Sequence, residues 1–374
     1  MIYLDYQATT PLAPQARKAM LPYLGEKFGN PHSPHRLGRE AAAAVALAAE
    51  RVLALLGDEG GAGRLAFTSG ATEAVNWAIQ SSLRFAPAAR RRVVTIATEH
   101  ACVLDTAQAM AAEGGETVVL PVDRFGLVDL DAARAAIDHR TALVVAMLVN
   151  NEIGVIQPIA ALATLARQAG ARFLCDAVQG AGRVPLPLDA CDMVAVSAHK
   201  IHGPKGIGAL WLAPGVELAP LIHGGGQQGG LRSGTLAPAL AAGFGAAASL
   251  ALERLAEDHE HVCRLWARAI DRLGPAWLLN GEAGVRYRGN LNLRRPGVDA
   301  DRLIGETRGV AFSAGSACAS GSGRASHVLK AIGLSTPEAR ASIRLGFGRY
   351  TTEEEIEQAA ALINAAAERQ MEWA

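Results

Sequence analysis

Between residues 64 and 212 short apolar runs alternate with helical patterns, and this alternation leaves few folds open to the chain. It is the signature of successive βαβ units feeding a parallel sheet. The spacing predicts strands over 64–68, 93–97, 117–120, 142–149, 171–175, 193–197 and 207–212, with helices such as 101–113 and 159–169 between them. In open sheets of this kind ligands bind outside the carboxyl ends of the strands. Polar residues collect at those ends here: Ser69-Gly70-Ala71-Thr72, Thr98-Glu99-His100, Asn150-Asn151-Glu152, Asp176, and His199-Lys200. Hydroxyl, imidazole, amide, carboxylate and amine groups are thus expected along one sheet edge.

From about residue 260 the pattern changes to a helix over 254–273, a strand at 290–293, a glycine-serine loop at 313–323 and a closing helix from Thr352. The fold expected is α/β, a mainly parallel central sheet with helices on both faces, plus a smaller α+β domain. The large domain spans 16–255, and the small one 256–374 together with residues 1–15. The 36 basic and 36 acidic residues cancel, so no overall field favours nucleic acid or an anionic membrane. Residues 235–252 carry no charge, close to the roughly 18 residues of a membrane span. Pro238, Gly243 and Gly245 and the abundance of alanine favour a helix buried in a core or subunit interface. Residues 1–5 have neither signal-peptide nor transit-peptide character, which fits a cytoplasmic protein. The five cysteines (Cys102, Cys175, Cys191, Cys263, Cys318) are scattered without a CxxC pair, so neither a disulfide framework nor a metal site is expected.

Each candidate residue has an ordinary alternative. Residues 68–73 open a helix after a strand, which suits a phosphate but equally an N-cap. Lys200 is one of only five lysines (Lys18, Lys27, Lys200, Lys205, Lys330) in an arginine-rich chain. A lysine directly after an apolar strand sits at the floor of a site, where lowering its pKa from about 10.4 allows Schiff-base chemistry that arginine cannot perform. Asp176 could pair with a pyridinium nitrogen or simply cap a turn. His100 alone is most often structural; beside Asp176 and Lys200 it becomes a ring-stacking and acid/base candidate. Cys175 and Cys191 fall in or beside apolar runs and read as inert core thiols. Cys318 instead lies in a stretch of Gly, Ser and Ala that cannot pack a core, the setting of a thiol presented to a substrate. Residues 203–208 have neither P-loop nor dinucleotide-fingerprint spacing.

Taken together, these motifs resemble the cysteine desulfurases of the NifS/IscS kind, within the class V aminotransferase-like, fold-type I enzymes that use pyridoxal 5'-phosphate (PLP). The resemblance runs nearly end to end, through Tyr3–Pro11, Gly29–Ser33, Thr68–Glu73, Thr98–His100, Asn150–Gly154, Asp176–Gln179, Ser197–Lys200, Gly203–Gly208, Arg232–Thr235, Ser313–Ser320 and Gly348–Thr352. It implies that Lys200 carries PLP, Asp176 holds the ring nitrogen, Gln179 bonds the ring hydroxyl and His100 stacks on the ring. Ala71, Thr72, Ser197 and His199 would cradle the phosphate, with Thr235 reaching it from the second subunit of a homodimer. Asn30, Asn151 and Arg349 would hold the substrate carboxylate, Arg349 by a bidentate fork. Sulfur would pass from L-cysteine to Cys318 as a persulfide, releasing alanine, and then to an acceptor such as an iron–sulfur scaffold or carrier protein.

The short C-terminus leaves that acceptor unspecified, and Gln227-Gln228-Gly229 departs from the family's common pattern. Rival readings are a selenocysteine lyase, an aminotransferase (which has no use for Cys318) and a non-catalytic sulfur carrier (which needs only the thiol). Rates on cysteine against selenocysteine separate the first. A colourless protein giving no imine absorbance with PLP would point to the carrier.

Overall fold

The computed structural model describes residues 1–315 and 326–372. Its centre is a seven-stranded sheet in the order Arg64–Thr68, Gly208–Leu212, Met193–Ser197, Arg172–Asp176, Thr141–Met147, Arg92–Ile96, Glu116–Leu120. The inner strands read as continuous apolar runs because both of their faces are covered. Val94, Val144, Phe173, Val194 and Val196 point into one core, shared with the helices Arg36–Leu56, Ile159–Gln168 and Pro238–Glu253. Their neighbours Val93, Leu143, Leu174, Met193 and Ala195 point into the other, against Ala71–Phe85 and Ala101–Ala112. The uncharged stretch near 235–252 is the helix Pro238–Glu253, packed against Pro14–Leu24 and Arg36–Leu56. Among the described residues no single helix is long and apolar enough to cross a membrane.

One strand departs from the βαβ expectation. Gly208–Leu212 runs antiparallel to both of its neighbours. Only residues 198–207 separate it from the preceding strand, too few for the crossover of a dozen or more that a parallel return requires. The chain therefore reverses at the carboxyl edge, and Gly208 pairs there with both Thr68 and Ser197. A Cβ on Gly208 would lie 2.6 Å from the Val196 carbonyl oxygen and 2.9 Å from the Ala71 nitrogen. Glycine is what lets three strand ends and the turn at Gly70-Ala71 meet.

The outer edge of Arg64–Thr68 is closed by a side chain. The Phe67 N–H donates to Gln228 Oε1 at 2.7 Å, and Gln228 Nε2 donates to the Phe67 carbonyl at 2.9 Å. An amide thus imitates a partner strand, which gives Gln228 of the unusual Gln227-Gln228-Gly229 stretch a structural reason.

A four-stranded antiparallel sheet forms the second unit, in the order Ser313–Ala314, Ser342–Gly346, Asn290–Arg294, Leu278–Leu279. Ile2 and Leu4 lie in its core with Leu265, Leu291, Ile343, Leu345 and Ile363. The strand Ile2–Tyr3 pairs with Val310–Ala311, and Asp5 bridges to Gly346. A Cβ on Gly346 would lie 1.7 Å from Gln7 Oε1, so this close approach steers the N-terminal segment back toward the large sheet.

Gly208→Ala is expected to cost about 1–3 kcal/mol through overpacking and to weaken phosphate-ligand binding as the 69–72 turn is displaced. Denaturant melts of the apoprotein and PLP titration read the two effects.

Candidate active site

A cavity of about 620 Å³ opens along the carboxyl edge of the large sheet. The residues of five strand ends line it: Ser69–Thr72, His100, Asn151, Asp176 with Gln179, and Ser197 with His199 and Lys200. Three of the expected site residues are elsewhere. Asn30 and Thr235 are not among the residues that line the cavity. Arg349 instead donates twice to Asp258 Oδ2, at 2.9 and 2.5 Å, beside a separate cavity of about 30 Å³. Cys318 lies outside the described residues.

Lys200 ends the short 3₁₀ turn that follows Met193–Ser197. Its Nζ donates to the Ala8 carbonyl at 2.8 Å and to the Gln7 carbonyl. Burial, then the charges of Arg183 and Arg344, lower its pKa from 10.5 to about 8, while Asp5 and Asp176 oppose the shift. An amine tuned this way has a sizeable neutral, nucleophilic fraction near neutrality.

Asp176 ends its strand 5% exposed, and its Oδ1 accepts the Val178 N–H at 3.0 Å. No hydrogen bond among the described residues takes Oδ2. Burial raises its pKa, partly offset by the Val178 N–H and by His100 and Lys200. Such a carboxylate is costly to ionise until a cation arrives.

His100 caps the helix Ala101–Ala112, its Nδ1 accepting the Cys102 N–H at 3.1 Å. That bond leaves the proton of the neutral ring on Nε2. Burial holds the His100 pKa below its ordinary value, so the ring is neutral at pH 7. His199 is pushed down to about 4, by burial first and Lys200 second, and its Nδ1 lies 3.1 Å from Thr9 Oγ1. Desolvation raises the pKa of the wholly buried Glu99 well above the ordinary carboxylate range, and its Oε1 accepts the Met147 N–H at 2.7 Å.

Several wall groups were not anticipated as site residues. Gln7, Ala8 and Thr9 line the cavity, although the sequence pattern grouped residues 1–15 only with the smaller domain. Arg344 lines it too, with a side chain 1% exposed. Its NH2 donates to Asp5 Oδ1 at 2.7 Å and its NH1 to the Asn151 carbonyl at 3.1 Å, while Nε has no partner among the described residues. The signal for it was an arginine inside an apolar strand, Ser342–Gly346. Cys102 is a further wall residue, but burial pushes its thiol pKa up and makes it a poor nucleophile.

Residues 2–359 match the model of the family "Aminotransferase class-V". The chain belongs to that family. Class-V aminotransferases are PLP enzymes, and PLP is the cofactor of this chain. The donor set fits it: a tuned lysine, a buried carboxyl short of a cation, and a small-residue turn at the start of Ala71–Phe85 open to a phosphate. Among class-V relatives, the chain is 44% identical over 370 residues to the "Cysteine desulfurase IscS" of Rickettsia bellii, covering 97% of this chain and 90% of that one. A second, from Rickettsia rickettsii, bears the same name at 43% identity with the same coverage. A solved "NIFS-like protein" superposes with a TM-score of 0.90 at 32% identity, over 97% of this chain and 98% of its own. The structure titled "SspA in complex with cysteine" gives 0.83 at 32% identity, over 94% and 100% of the two chains.

Since Lys200 titrates near 8, the rate at which the apoprotein takes up PLP is expected to rise with pH and level off just above that value. A stopped-flow absorbance profile still climbing toward the 10.5 of an ordinary lysine would contradict the assignment.

Proposed function

We infer that this chain is a PLP-dependent cysteine desulfurase, converting L-cysteine to L-alanine and passing the sulfur to Cys318 as a persulfide. The observation that carries this reading is the shared cavity of Lys200, Asp176 and the 69–72 turn, in a chain so close over its length to proteins of that name. When bound, PLP supplies an electron sink conjugated to the substrate's α-carbon.

The chain's own residues then divide the work. Lys200 would hold the cofactor and would take the substrate's α-proton. Asp176 would keep the ring nitrogen protonated, Gln179 would donate to the ring oxygen, and His100 would lie beside the ring with its Nε2–H able to hand on a proton. Ala71, Thr72, Ser197 and His199 would hold the phosphate. Cys318 attacks the substrate sulfur: an S–S bond forms, the Cβ–S bond breaks, and a proton ends on Cβ to give alanine. Cys102, protonated and half-buried, is no competitor for that sulfur.

For the substrate carboxylate we favour Arg344 with Asn151 over Arg349. Arg344 and Asn151 line that cavity, whereas Arg349, ion-paired with Asp258, lines a separate one. We take the working form to be a homodimer in which Thr235, exposed in the single chain, reaches the phosphate of the second subunit's site. The product persulfide calls for a sulfur-acceptor protein, an iron–sulfur scaffold or carrier being the natural class, and a cytoplasmic setting suits the free thiols.

Cys318→Ala is expected to retain the PLP absorbance but to lose alanine and persulfide formation from cysteine. Full-rate release of alanine and sulfide would overturn the scheme. Arg344→Lys is expected to raise KM for cysteine roughly 10- to 100-fold, the scale of a lost charge-assisted hydrogen bond. Arg349→Lys should instead lower the thermal midpoint with KM little changed.

A further inference from the structure

The guanidinium of Arg183 lies behind the wall formed by Lys200 and Gln179. Its NH1 donates to Gln179 Oε1 at 2.6 Å, and its NH2 donates to the backbone carbonyl of Lys200. Its Cζ sits 5.2 Å from the centre of the Tyr287 ring, a cation–π contact that helps hold the group in place. On the other side of the Gln179 amide, Nε2 donates to the Gln7 carbonyl at 2.9 Å. The amide is 4% exposed, so its orientation is decided by these partners and not by water.

Both contacts give the same orientation. A guanidinium carries only donors, so the amide atom against it must be the oxygen. A backbone carbonyl only accepts, so the atom against Gln7 must be the nitrogen. One N–H of the Gln179 NH2 group is then used by Gln7, and the second remains for the cavity that Gln179 lines. A glutamine free to flip could present its oxygen to a ligand equally well; with Arg183 behind it, that costs a cation its acceptor in a buried setting.

We propose that Arg183 is a positioning residue that locks the Gln179 amide with its NH2 group toward the cofactor, so that Gln179 can only donate to the ring oxygen of PLP. This rests on the reading above in which Gln179 meets that oxygen. It adds a selection rule: the site favours a ring oxygen that accepts, and Arg183 enforces the choice without touching the cofactor. The same guanidinium holds the Lys200 backbone, so a loss of affinity alone would not isolate the amide effect. The discriminating quantity is the ratio of two affinities.

The experiment titrates the full-length apoprotein with PLP and with 3-deoxypyridoxal phosphate, which lacks only the ring hydroxyl, following absorbance and intrinsic fluorescence. Wild type is expected to prefer PLP by about tenfold, the scale of one hydrogen bond in a buried site. Arg183→Met should lower the ratio without abolishing it, since the Gln7 carbonyl still favours the same orientation. Arg183→Lys, which keeps a donor-only cation, should preserve most of it. If Arg183→Met fails to fold, Arg183→Gln serves instead, since its amide can accept from a flipped Gln179 and the ratio should fall likewise. Gln179→Leu is the reference. If it leaves the preference for PLP intact, Gln179 does not meet the ring oxygen and the underlying reading fails. If Gln179→Leu abolishes the preference while Arg183→Met and Arg183→Gln keep it undiminished, the reading stands and the role of Arg183 is overturned.

Discussion

The amine of Lys200 is the point on which the architecture converges. A lysine removed from water is unfavourable as a cation unless carbonyls or carboxylates receive it. Here the receivers are the backbone carbonyls of Gln7 and Ala8, with the charges of Asp5 and Asp176 farther off. Arg183 and Arg344 press in the other direction. The result is an amine ready to be neutral, a property of the assembled surroundings and not of the residue.

Those surroundings come from both units of the chain. The large sheet supplies Lys200 and Asp176, but the N-terminal carbonyls reach them only because Ile2 and Leu4 are buried in the smaller core and Asp5 bridges to Gly346. Arg344 ties the same region together by its ion pair with Asp5 and its contact to Asn151. Further threads cross nearby, such as Arg286 NH2 donating to the Ile153 carbonyl at 2.7 Å. The cavity is therefore a joint between two cores, with one wall contributed by each.

Much of this is legible in the sequence because it depends on local order. A strand's carboxyl end is found by where an apolar run stops, and that alone assigns Thr72, His100, Asn151, Asp176 and Lys200 to one edge. What the sequence conceals depends on pairing between distant segments. Two arginines stand five positions apart, Arg344 within an apolar strand and Arg349 just beyond it, and neither position alone says which faces the cavity. Only the register of Ser342–Gly346 against Asn290–Arg294 and the approach of Asp258 send one to the cavity and pin the other away from it. The wall formed by Gln7, Ala8 and Thr9 is hidden for the same reason, since it acts through backbone carbonyls that any side chain would carry. The antiparallel strand Gly208–Leu212 is a different case: its short connection is countable, and the chain-length rule for crossovers gives its direction.

The bond between Lys200 and the N-terminal carbonyls also bears on the order in which the molecule comes together. Its partners stand 193 and 192 residues apart in sequence, and Arg344 meets Asp5 across 339. Contacts of such separation carry a high loop-closure cost and form after local ones. A half-made chain with its large sheet already paired would still lack the receivers that tune the amine. The amine of Lys200 is thus matured by the last contacts of folding, and a ligand that binds only the finished site draws the chain toward its complete form by mass action.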